Sequence, residues 1–467
     1  MKKQDADGCS RQRVAFCTFG CRLNQYDTEA MRTQLEAGGG WQSVPLRENA
    51  DLYVVNTCSV TSRADARARQ AIRRIHEQQP EARIAVTGCY AQRAPEEIAG
   101  IGGVSVVMGT ADRGRIVQEV EQALPGEKRV SVSPIETARE FLEVPVTEMM
   151  ERSRAYVKVQ EGCDQHCAFC IIPQTRGRSR SRRPENVLDQ IRQLVDSGYG
   201  EIVLTGVDIG SYGVDLDGGQ PPLNELLRRI LAVKGLRRLR LSSIGVGALD
   251  KELIAMMAME EKFARHLHIP LQSGSDRVLA KMRRPYSVGQ FQELIHRIGE
   301  QVPGCGLGID VICGFPGETE AEFQQTFDLL ADLPISYLHP FTYSERPGSA
   351  AASFQQPVPG DERKRRTRAL KRLSSDKNEG FRKAHLGQEM QVLVEPARGK
   401  SGAGVSGWTD NYIRVNLERE HPEGELVTVC IEDLTNDGLI GRPMTSRDRG
   451  HAEGLPGAIL APAPRKL

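Results

Sequence analysis

No apolar run in this 467-residue chain approaches the roughly 20 residues that a membrane-spanning helix needs. A helical membrane protein is therefore not expected, and no membrane partner is assigned. The segment from Met1 to Arg13 is basic but lacks the apolar stretch of a secretory signal, so a cytoplasmic protein is expected. Net charge is almost absent. With 62 Lys and Arg against 61 Asp and Glu, the balance is +1, which by itself neither assigns nor excludes nucleic acid. Internal repeats are absent too. What remains is ordinary for a globular chain, with 39% hydrophobic and 26% charged residues. The length suits about three domains and a large core. The eleven cysteines are the exception. In a cytosolic chain they do not read as a disulfide framework, and metal binding is the better default.

The hydrophobic pattern divides the chain. From residue 13 to about 110, short apolar runs (Arg13–Thr18, Asp51–Asn56, Arg83–Thr87, Val104–Met108) alternate with helical stretches such as Asp27–Leu35 and Ala64–Gln79. Such alternation predicts an open parallel α/β sheet. Residues 125–150 read as a linker. Six further strand candidates follow, at Ala155–Val159, Glu201–Thr205, Arg237–Ser242, His266–Leu271, Gly308–Cys313 and Ser336–Phe341. With their intervening helices they predict a partial (β/α) barrel, whose chemistry sits at the carboxyl ends of the strands. Asp361–His385 is a basic helix. Short runs at Met390–Val394, Tyr412–Val415 and Leu426–Ile431 then predict a small antiparallel β-barrel. The expected divisions are 11–125, 149–385 and 386–446, with 447–467 a disordered tail.

The run Cys163-Asp164-Gln165-His166-Cys167-Ala168-Phe169-Cys170 follows a predicted strand. Three thiolates at C-x3-C-x2-C spacing can hold three irons of a [4Fe–4S] cube and leave the fourth iron without a protein ligand. That iron can bind the amino and carboxylate groups of S-adenosylmethionine (SAM), and the spacing is that of the radical SAM enzymes. The competing reading is a structural zinc site, with His166 or a distant cysteine as fourth ligand.

Cys21, Cys58 and Cys89 are far apart in sequence, yet each lies just past the end of a predicted strand. In an open parallel sheet these loops share the ligand-binding edge. Gly20 and Gly88 stand beside two of them and would let the backbone come close to a second [4Fe–4S] cluster. Buried apolar thiols are the bland alternative, and that reading is given to Cys9, Cys17, Cys305, Cys313 and Cys430.

Four segments carry a resemblance: Thr18-Phe19-Gly20-Cys21-Arg22-Leu23-Asn24, Val55-Asn56-Thr57-Cys58-Ser59-Val60, Val86-Thr87-Gly88-Cys89-Tyr90-Ala91-Gln92, and Glu161-Gly162-Cys163 through Arg182. From about Arg13 to Arg442 the chain resembles the methylthiotransferases, a radical SAM family with two clusters and a C-terminal TRAM barrel. Within it the chain looks most like the branch acting on N6-threonylcarbamoyladenosine in tRNA. Gly20 through Tyr26, Ile202 through Gly210, Arg240 through Ile244 and Tyr343 through Gly348 fit that branch. One departure is Gly245, where the branch often has Glu after Ser-Ser-Ile.

The resemblance implies a methylthio group placed on C2 of that adenosine, beside the anticodon. Cys163, Cys167 and Cys170 would hold the cluster that cleaves SAM, and the resulting radical would take hydrogen from an otherwise inert aromatic carbon. The cluster on Cys21, Cys58 and Cys89 would carry the sulfur. Candidate SAM contacts at strand ends are Gly206, Asp208, Ser242, Ser243, Gln272, Ser273, Gly314 and Pro316. Arg176, Arg178, Arg180, Arg182 and Arg183 form a basic run beside the first cluster and are expected to meet tRNA phosphates. A second basic run lies on the helix from Arg363 to Arg372. Trp408 and Tyr412 are candidate stacking residues for RNA, with core packing an equal alternative. The chemistry also calls for an electron donor, such as a flavodoxin or ferredoxin, and a sulfur source. Relatives acting on isopentenyladenosine or on a ribosomal-protein aspartate share the six cysteines. A non-catalytic zinc protein that binds RNA is the alternative of a different class.

Overall fold

The computed structural model describes residues 11–123, 126–144, 146, 148–149, 153–216, 223–396, 405–417 and 421–444. Cys9 and the expected tail lie outside this set. The first sheet is built from β1 (Gln12–Thr18), β2 (Trp41–Ser43), β3 (Leu52–Thr57), β4 (Arg83–Gly88), β5 (Val104–Met108) and β6 (Arg129–Ser131). All pairings are parallel, in the order β2-β1-β3-β4-β5-β6. β3 is buried along its whole length, as a strand covered on both faces must be. Helices Arg22–Ala37 and Ser62–Gln78 cover the sheet. Thr61 caps the second of these by accepting from the Ala64 amide. β6 falls in the stretch read as a linker. It is only three residues long, too short for its pattern to show, and it is held by pairing with β5.

The second unit contains β7 (Arg154–Lys158), the short hairpin β8 (Gln160–Glu161) and β9 (Arg180–Ser181), then β10 (Glu201–Thr205), β11 (Arg238–Leu241), β12 (His266–Gln272), β13 (Gly306–Cys313) and β14 (Tyr337–Thr342). β11-β10-β7 and β12-β13-β14 are two parallel sheets. Bridges at Leu239–Phe263 and Ser243–His268 join them edge to edge. The result is a six-stranded partial barrel running from β7 to β14, its apolar outer face packed under helices such as Pro184–Asp196 and Val288–Gln301. The six strands predicted from periodicity are these six, within a few residues at each end.

The third unit is a closed barrel of β15 (Glu389–Glu395), β16 (Ser406–Thr409), β17 (Arg414–Leu417), β18 (Leu426–Leu434) and β19 (Leu439–Pro443). It plugs the amino-terminal end of the partial barrel. Arg238 donates to the Trp408 and Gln391 carbonyls (3.1 and 3.0 Å), and Arg240 to those of Asp410 and Thr409 (2.7 and 3.0 Å). Both guanidinium groups also pair with the fully buried Glu201. Burial alone would raise that carboxyl. Arg240, Arg238 and Arg154 overcome burial and hold it at about 2. No helix among the described residues is long and apolar enough to cross a membrane.

Candidate active site

The first cysteine loop leaves the β8 end of the barrel through Gly162. This glycine has φ +73°, and a side chain there would collide with the Arg178 backbone carbonyl. The Cys163 amide then bonds the Gly177 carbonyl (3.0 Å), and the Ala168 amide the Met282 carbonyl (3.0 Å). Each sulfur receives one N–H. The Gln165 amide points at Cys163 Sγ (3.4 Å), the Ile172 amide at Cys170 Sγ (3.4 Å), and Arg284 Nη1 at Cys167 Sγ (3.0 Å). Donors of this kind tune cluster thiolates. Burial pushes the Cys163 thiol up to about 12 and the Cys170 thiol up to about 11, and the neighbouring thiols add to both. Metal binding here must therefore expel protons.

The second trio comes together as the strand ends predict. β1, β3 and β4 are neighbours in the sheet, and Cys21, Cys58 and Cys89 follow them directly. A Cβ on Gly20 (φ +104°) would lie 2.7 Å from the Cys58 Cβ and 3.1 Å from its sulfur. One on Gly88 (φ +97°) would strike the Thr57 backbone. Asn24 ties the loops by donating to the Phe19 and Thr57 carbonyls (2.7 and 3.0 Å). Cys21 stands at the N-cap of the helix Arg22–Ala37 and Cys89 opens the short helix Cys89–Arg93. The Cys58 thiol is pushed up to about 12 by burial and then by Cys89.

The two trios are neighbours. The helix Cys89–Arg93 packs on the helix Ile172–Arg176, which follows Cys170, and Arg176 donates to Asn24 at 2.6 Å, three residues beyond Cys21. Neither trio stands among the groups of described residues placed closely enough to share a single metal ion. Tetrahedral zinc with ~2.3 Å bonds needs sulfurs about 3.8 Å apart. Among the described residues, the one His, Cys, Asp or Glu trio whose ligating atoms all lie within 4.8 Å is His268, Asp310 and His339. Three thiols per site, with one iron left open to an exogenous ligand, suit a polynuclear iron–sulfur cube. His166, the fourth ligand of the zinc alternative, is exposed and does not line the cavity.

A cavity of about 330 Å³ opens beside Cys163, Cys167 and Cys170. Of the strand-end residues expected to touch SAM, Asp208, Ser243 and Gln272 line it. Gly206, Ser242, Ser273, Gly314 and Pro316 do not. The Gly206 position packs against Gln160 and Ile209, and Gly314 against Arg363. Ser273 is fully buried and bonds the Ser275 amide, while Ser242 and Pro316 are also buried. Alternation explains Ser242 against Ser243 and Ser273 against Gln272, since adjacent residues at a strand end point to opposite faces. Gln272 takes φ +72° at a bulge in β12, and its Oε1 has no partner. Arg284 and Tyr286, which line the same wall, gave no signal in sequence. Gly245 lines it too, and a Cβ there would meet nothing within 4 Å, so the cavity is wider where the branch often has Glu.

The basic run after Cys170 needs correction. Arg176, Arg180 and Arg182 are buried and are not presented at the surface. Arg176 donates to Asn24 (2.6 Å), Glu161 (2.7 Å) and Asp27 (3.0 Å). Arg182 pairs with Glu143 (2.7 Å), and Arg180 bonds the Arg176 and Arg178 carbonyls. Arg178 and Arg183 remain exposed. On the helix from Gly360, Arg363, Lys364, Arg365 and Arg366 pair with acidic neighbours. Arg368, Lys371 and Arg372 are exposed. Trp408 and Tyr412 stack on each other at 4.6 Å, and Tyr412 stacks on His266 at 4.4 Å. Tyr412 at least serves packing.

A partial (β/α) barrel with three cysteines in one loop at its mouth defines a radical SAM protein. Its fold resembles that of the radical SAM methyltransferase TsrM from Kitasatospora setae (TM-score 0.55, 16% identity, 73% of this chain and 75% of that one). The Radical SAM superfamily matches residues 157–330, and Uncharacterized protein family UPF0004 matches residues 13–109. The chain is 40% identical over 424 residues to threonylcarbamoyladenosine tRNA methylthiotransferase MtaB of Bacillus subtilis (strain 168), covering 90% of this chain and 93% of the relative. It is 37% identical over 420 residues to the MtaB protein of Aquifex aeolicus (strain VF5), covering 90% of this chain and 100% of the relative. The chain belongs to the radical SAM methylthiotransferase family, with the MtaB proteins.

Proposed function

We propose that this protein places a methylthio group on C2 of N6-threonylcarbamoyladenosine in tRNA, next to the anticodon. The observation that carries this reading is the packing of two cysteine-bearing loop regions from two separate sheets against each other, in a chain similar along 90% of its length to MtaB proteins. Bound at these sites, two [4Fe–4S] clusters with SAM would supply the one-electron chemistry and the sulfur needed to functionalise an inert aromatic C–H.

The protein's own part is to hold, orient and screen. Cys163, Cys167 and Cys170 would ligate one cluster and Cys21, Cys58 and Cys89 the other. Arg284 places a cation against the first trio and Arg176 against the second, offsetting the negative charge of thiolate-ligated clusters. Asp208, Ser243, Gln272 and Tyr286 shape the cavity where SAM would lie. The exposed Arg178, Arg183, Arg368, Lys371 and Arg372 are the remaining candidates for tRNA phosphates. The exchange also requires an electron donor and a sulfur source.

Nucleoside mass spectrometry of tRNA from cells lacking the gene tests the reading. The 2-methylthio form of threonylcarbamoyladenosine should disappear and the unthiolated nucleoside accumulate in its place. Loss of the mark on isopentenyladenosine instead, or an unchanged profile, would overturn it.

A further inference from the structure

The inside of the partial barrel holds a polar column that the cluster sites do not use. His266, His268, Asp310, Tyr337 and His339 lie on β12, β13 and β14. His268 Nδ1 meets Ser243 Oγ at 2.7 Å, its Nε2 meets Asp310 at 2.9 Å, and its ring lies 4.8 Å from that of His339. His266 Nε2 meets Tyr337 Oη at 2.7 Å. Ser243 also lines the cavity beside Cys163, so the column begins where SAM would end. At its other side it reaches a second cavity of about 420 Å³, lined by Tyr337, His339, Tyr412, Lys371 and Arg414 among others.

Arg22 reaches this column from the first domain. It directly follows Cys21. Its guanidinium lies over the Tyr412 ring at 5.9 Å, and its Nη2 donates to the Tyr412 hydroxyl at 3.3 Å. It is close enough to act as a neighbouring positive charge on His266, Tyr337 and His339. The buried Arg113, Arg176, Arg238, Arg240 and Arg346 are each paired with a carboxylate. Among the described residues Arg22 has no such partner, although it sits beside a candidate reaction centre.

We propose that Arg22 and the His268–Asp310–His339 group form the seat for the N6 substituent of the substrate base, with Arg22 holding its carboxylate. This rests on the function proposed above. The threonylcarbamoyl group ends in a carboxylate and carries a hydroxyl and ureido N–H groups. A guanidinium without a carboxylate partner matches the first, and an imidazole–carboxylate pair can accept from the others. An apolar isopentenyl group would leave these polar groups without partners. A divalent cation on the same trio would be repelled by Arg22. The tRNA would enter past the exposed Lys371 and the half-buried Arg414 at the rim.

The test is anaerobic binding of the cluster-loaded enzyme to labelled anticodon stem-loops that differ only at the modified base. One carries threonylcarbamoyladenosine, one its neutral carboxyl methyl ester, and one unmodified adenosine. Wild type should prefer the acid over the ester by about tenfold or more, as a charged hydrogen-bonded pair allows. Arg22→Met should remove that preference by weakening the acid alone, and Arg22→Lys should restore part of it, with the iron content of both variants unchanged. Arg22→Met that keeps the preference, or weakens acid and ester equally, overturns the seat. A zinc ion retained by wild type and lost in Asp310→Asn overturns it as well. Wild-type enzyme that modifies the acid stem-loop without distinguishing acid from ester overturns the seat alone. Wild-type enzyme that modifies none of the three overturns the function on which the seat rests.

Discussion

Alanine in place of Cys163 should lower both SAM cleavage and tRNA methylthiolation to below about one thousandth of wild type, the scale seen when an indispensable catalytic group is removed. Cys163 is one of three sulfurs on the wall of the SAM cavity, and no described residue stands ready to replace it. Alanine in place of Cys58 should act differently. Cys58 belongs to the other trio, wedged between Gly20 and the Cys89 loop. Its loss leaves the first loop, Arg284 and the cavity untouched. Methylthiolation should fall as far as in the Cys163 variant, while SAM cleavage stays within about tenfold of wild type. Quantifying 5′-deoxyadenosine and modified nucleoside in the same anaerobic assay separates the two. Equal loss of both products in the Cys58 variant would contradict the division of roles.

Asp27→Asn should destabilise the protein by about 3–5 kcal/mol, the cost of leaving buried charge uncompensated. Asp27 sits on the helix Arg22–Ala37 of the first domain and is 2% exposed. It pairs with Arg113, with Lys158 of β7 (2.8 Å) and with Arg176 (3.0 Å). Glu161 shares the same cations, at 2.6 Å to Arg113, 2.8 Å to Lys158 and 2.7 Å to Arg176. Three cations thus face two carboxylates at the joint between the two cysteine loops. Without Asp27 only Glu161 remains, and the joint should open. Burial raises both carboxyls, but the three cations overcome it and hold both below their ordinary values. The stabilisation is therefore present above the unfolded pKa of about 4 and lost as pH falls through the lower folded values. Thermal unfolding and limited proteolysis read the effect. Arg178→Ala removes an arginine whose side chain is 75% exposed and should change stability by no more than about 0.5 kcal/mol. Equal shifts in the two variants would refute the assignment.

These residues show where reading the sequence succeeds and where it stops. The Cys163 loop is legible because its three ligands are nearly contiguous. Cys21, Cys58 and Cys89 become legible only once β1, β3 and β4 are taken as neighbours, which a parallel sheet allows. The arginines after Cys170 mislead because a charge run does not reveal its partners. Arg176 finds Asp27 149 residues away. Lys158 in the apolar stretch Ala155–Val159 is the one local hint that a buried anion waits for it. Half-turn errors at strand ends account for Ser242 against Ser243 and Ser273 against Gln272. Arg22, Asp310 and the barrel histidines were missed because they converge from four elements. The alternation of His266 and His268 along β12 was their only trace.

The central claim is that two iron–sulfur sites are neighbours in one chain. Iron and zinc analysis of anaerobically purified wild type, beside a variant with Cys21, Cys58 and Cys89 all replaced by alanine, tests it most directly. The account predicts brown protein with about eight irons per chain in wild type and about four in the variant. A colourless, zinc-loaded wild type, or a variant with undiminished iron, would contradict it.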